Sequence, residues 1–142
     1  MDVRGRLGPR DEGGRESVLL RREFTFDAAH RLEHYHGKCE ALHGHTYRFA
    51  VTLRGEPDAE GMVMDFVVLK DLVSERILAR LDHSYLNDIL PQPTAERIAL
   101  WIWGELEPAL DTLRAELFEV QVWETATCSV ILHGEDVRGG RT

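Results

Sequence analysis

His43 and His45 flank a single glycine in a stretch whose apolar residues alternate. On an extended strand both imidazoles therefore point to the same side and converge on one point. Two neutral imidazoles so placed are the beginning of a metal site, and Gly44 between them leaves space. His30 closes an earlier alternating run, Leu20, Phe24, Phe26 and Ala28, on its apolar side. Pairing the two runs would carry a third ring to the same place. Three histidines suit zinc with its fourth position open, where the metal polarises a carbonyl or hydroxyl oxygen of a substrate. A His-x-His pair alone is a weak signal for metal; His30 strengthens it.

Three further features carry chemistry, each with two readings. Cys39 lies four residues before His43, inside the connection between the two runs. Its thiolate is a candidate general base if a nearby cation or imidazole lowers its pKa from the free value of about 8.5, and a candidate fourth zinc ligand that would close the site. Spacing leaves both open. Asp82-His83 pairs a carboxylate with an imidazole, which can relay a proton to and from Cys39, and is equally the makeup of a helix end capped by histidine. Glu124 shares the apolar side of its strand with Phe118, Val120 and Val122 and so needs a partner. That partner is either the amidine-like edge of a pterin or guanine ring, whose adjacent donors match two carboxylate oxygens, or an ion pair at the strand end.

The elements that must position these groups follow from periodicity. Alternation predicts strands over 18–30 and from 43 to a turn at Gly55-Glu56-Pro57-Asp58. Phe66, Leu69, Val73 and Ile77 then recur at helical spacing behind an Asp65 cap, predicting a helix over 66–81. A second helix begins at Thr94 with the stripe Ile98, Ile102 and Leu106, and Pro108 is expected to end or kink it. Alternation returns over 118–124 and 128–132. The order is ββααββ, an α+β pattern with two helices on one face of a four-stranded antiparallel sheet. The other face is expected to be bare and apolar, which invites burial against a second subunit.

Length and composition set the bounds. The chain has 142 residues, enough for one core, which is expected to span 17–133 between a flexible arm, 1–16, and a flexible tail, 134–142. A formal charge of -8, from 17 Lys and Arg against 25 Asp and Glu, disfavours nucleic acid or an anionic membrane as partner. No apolar run is long enough to span a bilayer and no secretory signal is present, so a soluble cytoplasmic protein is expected. Cys39 and Cys128 are then expected to be thiols.

Phe26-Asp27-Ala28-Ala29-His30, Cys39-Glu40-Ala41-Leu42-His43-Gly44-His45, Met64-Asp65-Phe66, Leu81-Asp82-His83-Ser84-Tyr85-Leu86-Asn87, Pro93-Thr94-Ala95-Glu96 and Glu124-Thr125 together resemble the 6-pyruvoyltetrahydropterin synthase superfamily. The resemblance runs in order from about Leu20 to Leu132. It implies a T-fold whose sheets join between subunits into a barrel, usually a hexamer of two trimers with active sites at the interfaces. It further implies zinc on His30, His43 and His45, Cys39 as proton acceptor, and Asp82 with His83 as its relay. Glu124 is the implied pterin anchor, with Thr94 and Thr125 as further substrate contacts. The three residues between Cys39 and His43 are similar to the bacterial 6-carboxytetrahydropterin synthases of queuosine biosynthesis, whereas animal pyruvoyl enzymes carry a longer gap. The resemblance thus implies conversion of 7,8-dihydroneopterin triphosphate to 6-carboxy-5,6,7,8-tetrahydropterin, with acetaldehyde and triphosphate released. The rival outcomes are a 6-pyruvoyltetrahydropterin product and a non-catalytic zinc- or pterin-binding module. Lys38 and Arg31 are candidates for the triphosphate by charge and position alone, and the N-terminal arm and Cys128 depart from the family pattern.

Overall fold

Alternating residues make two long strands, β1 (Val18–His30) and β2 (His43–Gly55), which pair antiparallel from Val18 opposite Gly55 to His30 opposite His43. The computed structural model describes residues 16–32 and 42–139, and of His43, Arg138 and Gly139 only the backbone; the expected N-terminal arm thus lies almost wholly outside the described residues. β4 (Glu116–Trp123) pairs with β2, and β5 (Ser129–His133) with β4, both antiparallel. A fifth strand not expected from the sequence, β3 (Ser84–Tyr85), runs parallel to β1 at Ala28 and Ala29, so the sheet order is β3-β1-β2-β4-β5. Two residues are too short to show a period, and only the neighbouring strand makes them one.

Asp65 caps α1 (Phe66–Val73) by accepting from the Val67 amide at 2.7 Å. The helical course continues through a π turn, Ser74–Leu78, into α2 (Ala79–Leu81). Leu69, Val73, Ile77 and Leu81 are fully buried along it. Thr94 caps α3 (Ala95–Leu110), whose Ile98, Ile102, Trp103 and Leu106 meet Phe26, Phe49, Val51 and Val120 of the sheet in one hydrophobic core. Pro108 does not end α3, which runs on to Leu110. Pro108 lacks the amide hydrogen that would bond back toward Gly104, and the helix continues two residues beyond it. In the turn before α1, Asp58 accepts from the amides of Met62 and Glu60 at 3.0 and 2.9 Å. The Met62 amide above all, then the Glu60 amide and the Arg114 guanidinium, hold its carboxyl below the ordinary range.

Three expectations are corrected. Phe118 does not share the inward side of β4 with Val120 and Val122: a bulge opposite Thr52 and Leu53 turns Leu117 inward instead, and the Phe118 ring lies beside His133 and beneath Arg54. The stretch from Gly134 is not all tail, because α4 (Gly134–Gly139) packs Val137 into the core at 9% exposure. Glu135 and Asp136 in its first turn suit the positive end of a helix. Nor is the open face of the sheet bare and apolar. Arg48 and Arg21 lie over Trp123 at 3.9 and 5.6 Å from the ring centre, and Glu23 pairs with both guanidiniums. Ala50 and Thr52 on that face are only 1% and 5% exposed, so the long side chains around them already exclude water.

Candidate active site

The pairing of β1 with β2 puts the backbone of His30 opposite that of His43 and Ala28 opposite His45, with the side chains of His30, Ala28 and His45 on the helix-covered side of the sheet by alternation. His30 is 1% exposed, and its ring meets that of His45 edge-on with centroids 5.0 Å apart. Glu124, one residue past β4, continues the inward series Val120 and Val122 and brings Oε1 to 4.0 Å from the buried Nε2 of His45. One ligand atom each from His30, His45 and Glu124 lie within 4.8 Å of one another. Two neighbouring imidazoles are donors that zinc accepts, so the described residues fit the implied metal, with the Glu124 carboxylate beside them. The backbone of His43 stands opposite His30 on β2, and its side chain lies outside the described residues. Cys39 and Lys38 also lie outside them.

His30 is held from behind. Its Nδ1 is 3.0 Å from the Pro93 carbonyl oxygen and 3.0 Å from the Tyr47 hydroxyl. A carbonyl only accepts, so Nδ1 carries the hydrogen and the lone pair sits on Nε2, the tautomer a metal needs there. The next residue is clamped as well: Asn87 accepts from the Arg31 amide and donates to the Arg31 carbonyl, both at 2.8 Å. That amide acts as a substitute strand pair and fixes the direction in which the chain leaves β1. The Arg31 side chain is exposed.

Asp82 and His83 fall elsewhere. Asp82 Oδ1 accepts from the Asp27 amide at 3.0 Å, Oδ2 lies 3.2 Å from His83 Nδ1, and the His83 amide donates to the Asp27 carbonyl at 2.6 Å. The Asp27 carboxylate, which accepts from the Thr46 hydroxyl, completes a second group of close ligand atoms. Asp27 and Thr46 face the open side of the sheet, opposite to His30 and His45, and the His83 side chain is 80% exposed. The structure joins Asp82 to His83 as the sequence suggested, but on the other face from the paired histidines. An open depression of about 430 Å³ is lined by His45 and Gly44 of β2 together with Asp27, Thr46 and His83. Gly44 leaves it open, since an added Cβ would meet only the Ala28 carbonyl at 3.8 Å.

His83 has φ of 60°, the left-handed region that costs a side-chain-bearing residue about 1–2 kcal/mol. His83→Gly should therefore unfold at higher denaturant concentration than His83→Ala, by about 1 kcal/mol, although both lack the imidazole. Equal midpoints for the two variants would show that the backbone there is unstrained.

Thr94 and Thr125 are both occupied locally. Thr94 Oγ1 accepts from the Arg97 amide at 3.2 Å, as a helix cap does, and Thr125 Oγ1 accepts from the Cys128 amide at 3.1 Å within the β4–β5 turn. Each hydroxyl keeps a hydrogen of its own to donate. Sequence reasoning missed the placement of Asp27 beside Asp82 and of the Pro93 carbonyl and Tyr47 hydroxyl behind His30. Tyr47 carried a signal, because a tyrosine in the middle of an inward-facing series must find a partner for its hydroxyl.

Residues 19–135 match a family model described as 6-pyruvoyl tetrahydropterin synthase. A 6-carboxy-5,6,7,8-tetrahydropterin synthase from Synechocystis sp. is 44% identical over 116 residues, covering 77% of this chain and 88% of that protein. The human 6-pyruvoyl tetrahydrobiopterin synthase is 35% identical, covering 87% and 97%. The solved structure of 6-pyruvoyl tetrahydropterin synthase from Caenorhabditis elegans superposes with a TM-score of 0.74 at 30% identity, over 84% of this chain and 97% of that one. The fold shared with that structure is the α+β T-fold expected from the sequence.

Proposed function

The chain belongs to the 6-pyruvoyl tetrahydropterin synthase family, and from that premise we propose that it is a zinc-dependent lyase making 6-carboxy-5,6,7,8-tetrahydropterin from 7,8-dihydroneopterin triphosphate, with loss of acetaldehyde and triphosphate, in queuosine biosynthesis. The observation that carries this reading is the gathering of His30, His45 and Glu124 on one face at the strand ends. The carboxy product, rather than the pyruvoyl one, is favoured by the three-residue gap between Cys39 and His43 and by 44% identity to a carboxy enzyme against 35% to a pyruvoyl enzyme.

His30, His43 and His45 would hold the zinc, and Glu124 lies where it can hold the ring of a pterin beside it through paired hydrogen bonds. Zinc bound there supplies Lewis-acid polarisation of the substrate's side-chain oxygens. Cys39 takes the proton released from the substrate side chain. His83, with Nδ1 held by Asp82, exchanges protons with that thiol, and the same pair returns a proton to the product. Thr94 and Thr125 offer hydroxyl hydrogens to the ring.

Asp82 and His83 stand on the opposite side of the sheet from the histidine pair, which supports a site completed by a second copy of the chain in a homo-oligomer, with a hexamer the implied form. A His45→Ala chain and a His83→Ala chain, each inactive alone, should then recover about a quarter of wild-type activity when unfolded together and refolded at equal amounts, the random share of two-chain sites with both halves intact. No recovery from refolded mixed oligomers would place the whole site within one chain.

The reaction is tested by acetaldehyde release from 7,8-dihydroneopterin triphosphate. Acetaldehyde in step with triphosphate is expected, and triphosphate without acetaldehyde would mean that the carbon–carbon bond survives.

A further inference from the structure

Tyr47 is fully buried on the inward side of β2, its ring stacked on Phe26 with centroids 5.0 Å apart and set edge-on to both His30 and His45 at 5.9 and 5.4 Å. Phenylalanine would satisfy that packing, as Phe26 and Phe49 do alongside. What the phenol adds is an oxygen 3.0 Å from Nδ1 of His30, the same nitrogen that lies 3.0 Å from the Pro93 carbonyl. One N–H thus faces two acceptors from different elements, β2 and the segment leading into α3.

We propose that Tyr47 is a positioning residue for the metal: with the Pro93 carbonyl it seats the Nδ1–H of His30, fixes the ring's tautomer and rotation, and so presents Nε2 to the ion. This rests on the reading of His30 as a zinc ligand. A neutral imidazole without that seat places its hydrogen on either nitrogen, and a hydrogen on Nε2 must be moved before a metal can bind. Ligating histidines depend on such outer hydrogen bonds, and loss of one lowers metal affinity about 10- to 100-fold.

Tyr47→Phe removes the oxygen and keeps the ring. In metal-free protein, long-range proton–nitrogen spectra of the histidine rings should show His30 as the Nδ1–H form in the wild type and a detectable minor share of Nε2–H in the variant, where the Pro93 carbonyl is left as the single acceptor of the pair. Competition with a chelator should show Zn2+ held about 10- to 100-fold more weakly by the variant, with the metal-free unfolding midpoint little changed. An unchanged tautomer with unchanged Zn2+ affinity would overturn the proposal. So would weaker Zn2+ binding accompanied by an equal loss of metal-free stability and an unchanged tautomer, which is the mark of packing alone. Wild-type protein that takes up no Zn2+ would remove the metal reading itself, a result read without the variant, and this proposal would go with it.

Discussion

Alanine at position 45 is expected to yield a folded protein that no longer retains zinc through dialysis and turns over at least about 10³-fold more slowly. The expected loss follows from a Lewis acid contributing several kcal/mol at the transition state, each 1.36 kcal/mol being tenfold. His45 supplies one of the nitrogens in the group with His30 and Glu124, and its side chain is 23% exposed, so removing it costs little core packing. Metal analysis and thermal unfolding of the same sample separate the two effects. Full zinc stoichiometry in His45→Ala would show that the ion sits elsewhere, and His43→Ala should agree with His45→Ala in direction.

Cys39→Ala makes the second large difference, and it is a different one. A proton acceptor in the transition state contributes about 10²–10⁴-fold, so kcat should fall by that order while zinc content and substrate affinity stay near wild type. A thiolate serving as the fourth zinc ligand would behave otherwise: its loss would weaken the metal and open the site. The two roles that spacing left open are thus separated by measuring zinc affinity and kcat on one variant.

The long strands were legible because alternation persists over enough residues to fix which side is inward, and the register that sets His30 against His43 follows from two inward-facing series of matching length. The helix stripes through Leu69, Val73 and Ile77 and through Ile98, Ile102 and Leu106 were legible for the same reason. Phe118 misled because a bulge breaks alternation without any mark in the strand that bears it; the extra residue exists only relative to the partner strand. The polar cover of the open face was hidden because alternation assigns Arg21, Glu23 and Arg48 to a side without showing that their side chains fold across Trp123 and its small neighbours. Asp82 and His83 are adjacent in sequence, which revealed the pair but not its side of the sheet. That side is set by the two backbone links to Asp27, which no periodicity announces.

Mass spectrometry of the products formed by zinc-loaded protein from 7,8-dihydroneopterin triphosphate shows whether the chain is a carbon–carbon lyase acting on a pterin triphosphate. The expected product is 6-carboxy-5,6,7,8-tetrahydropterin. A 6-pyruvoyltetrahydropterin product, or unchanged substrate, would contradict it.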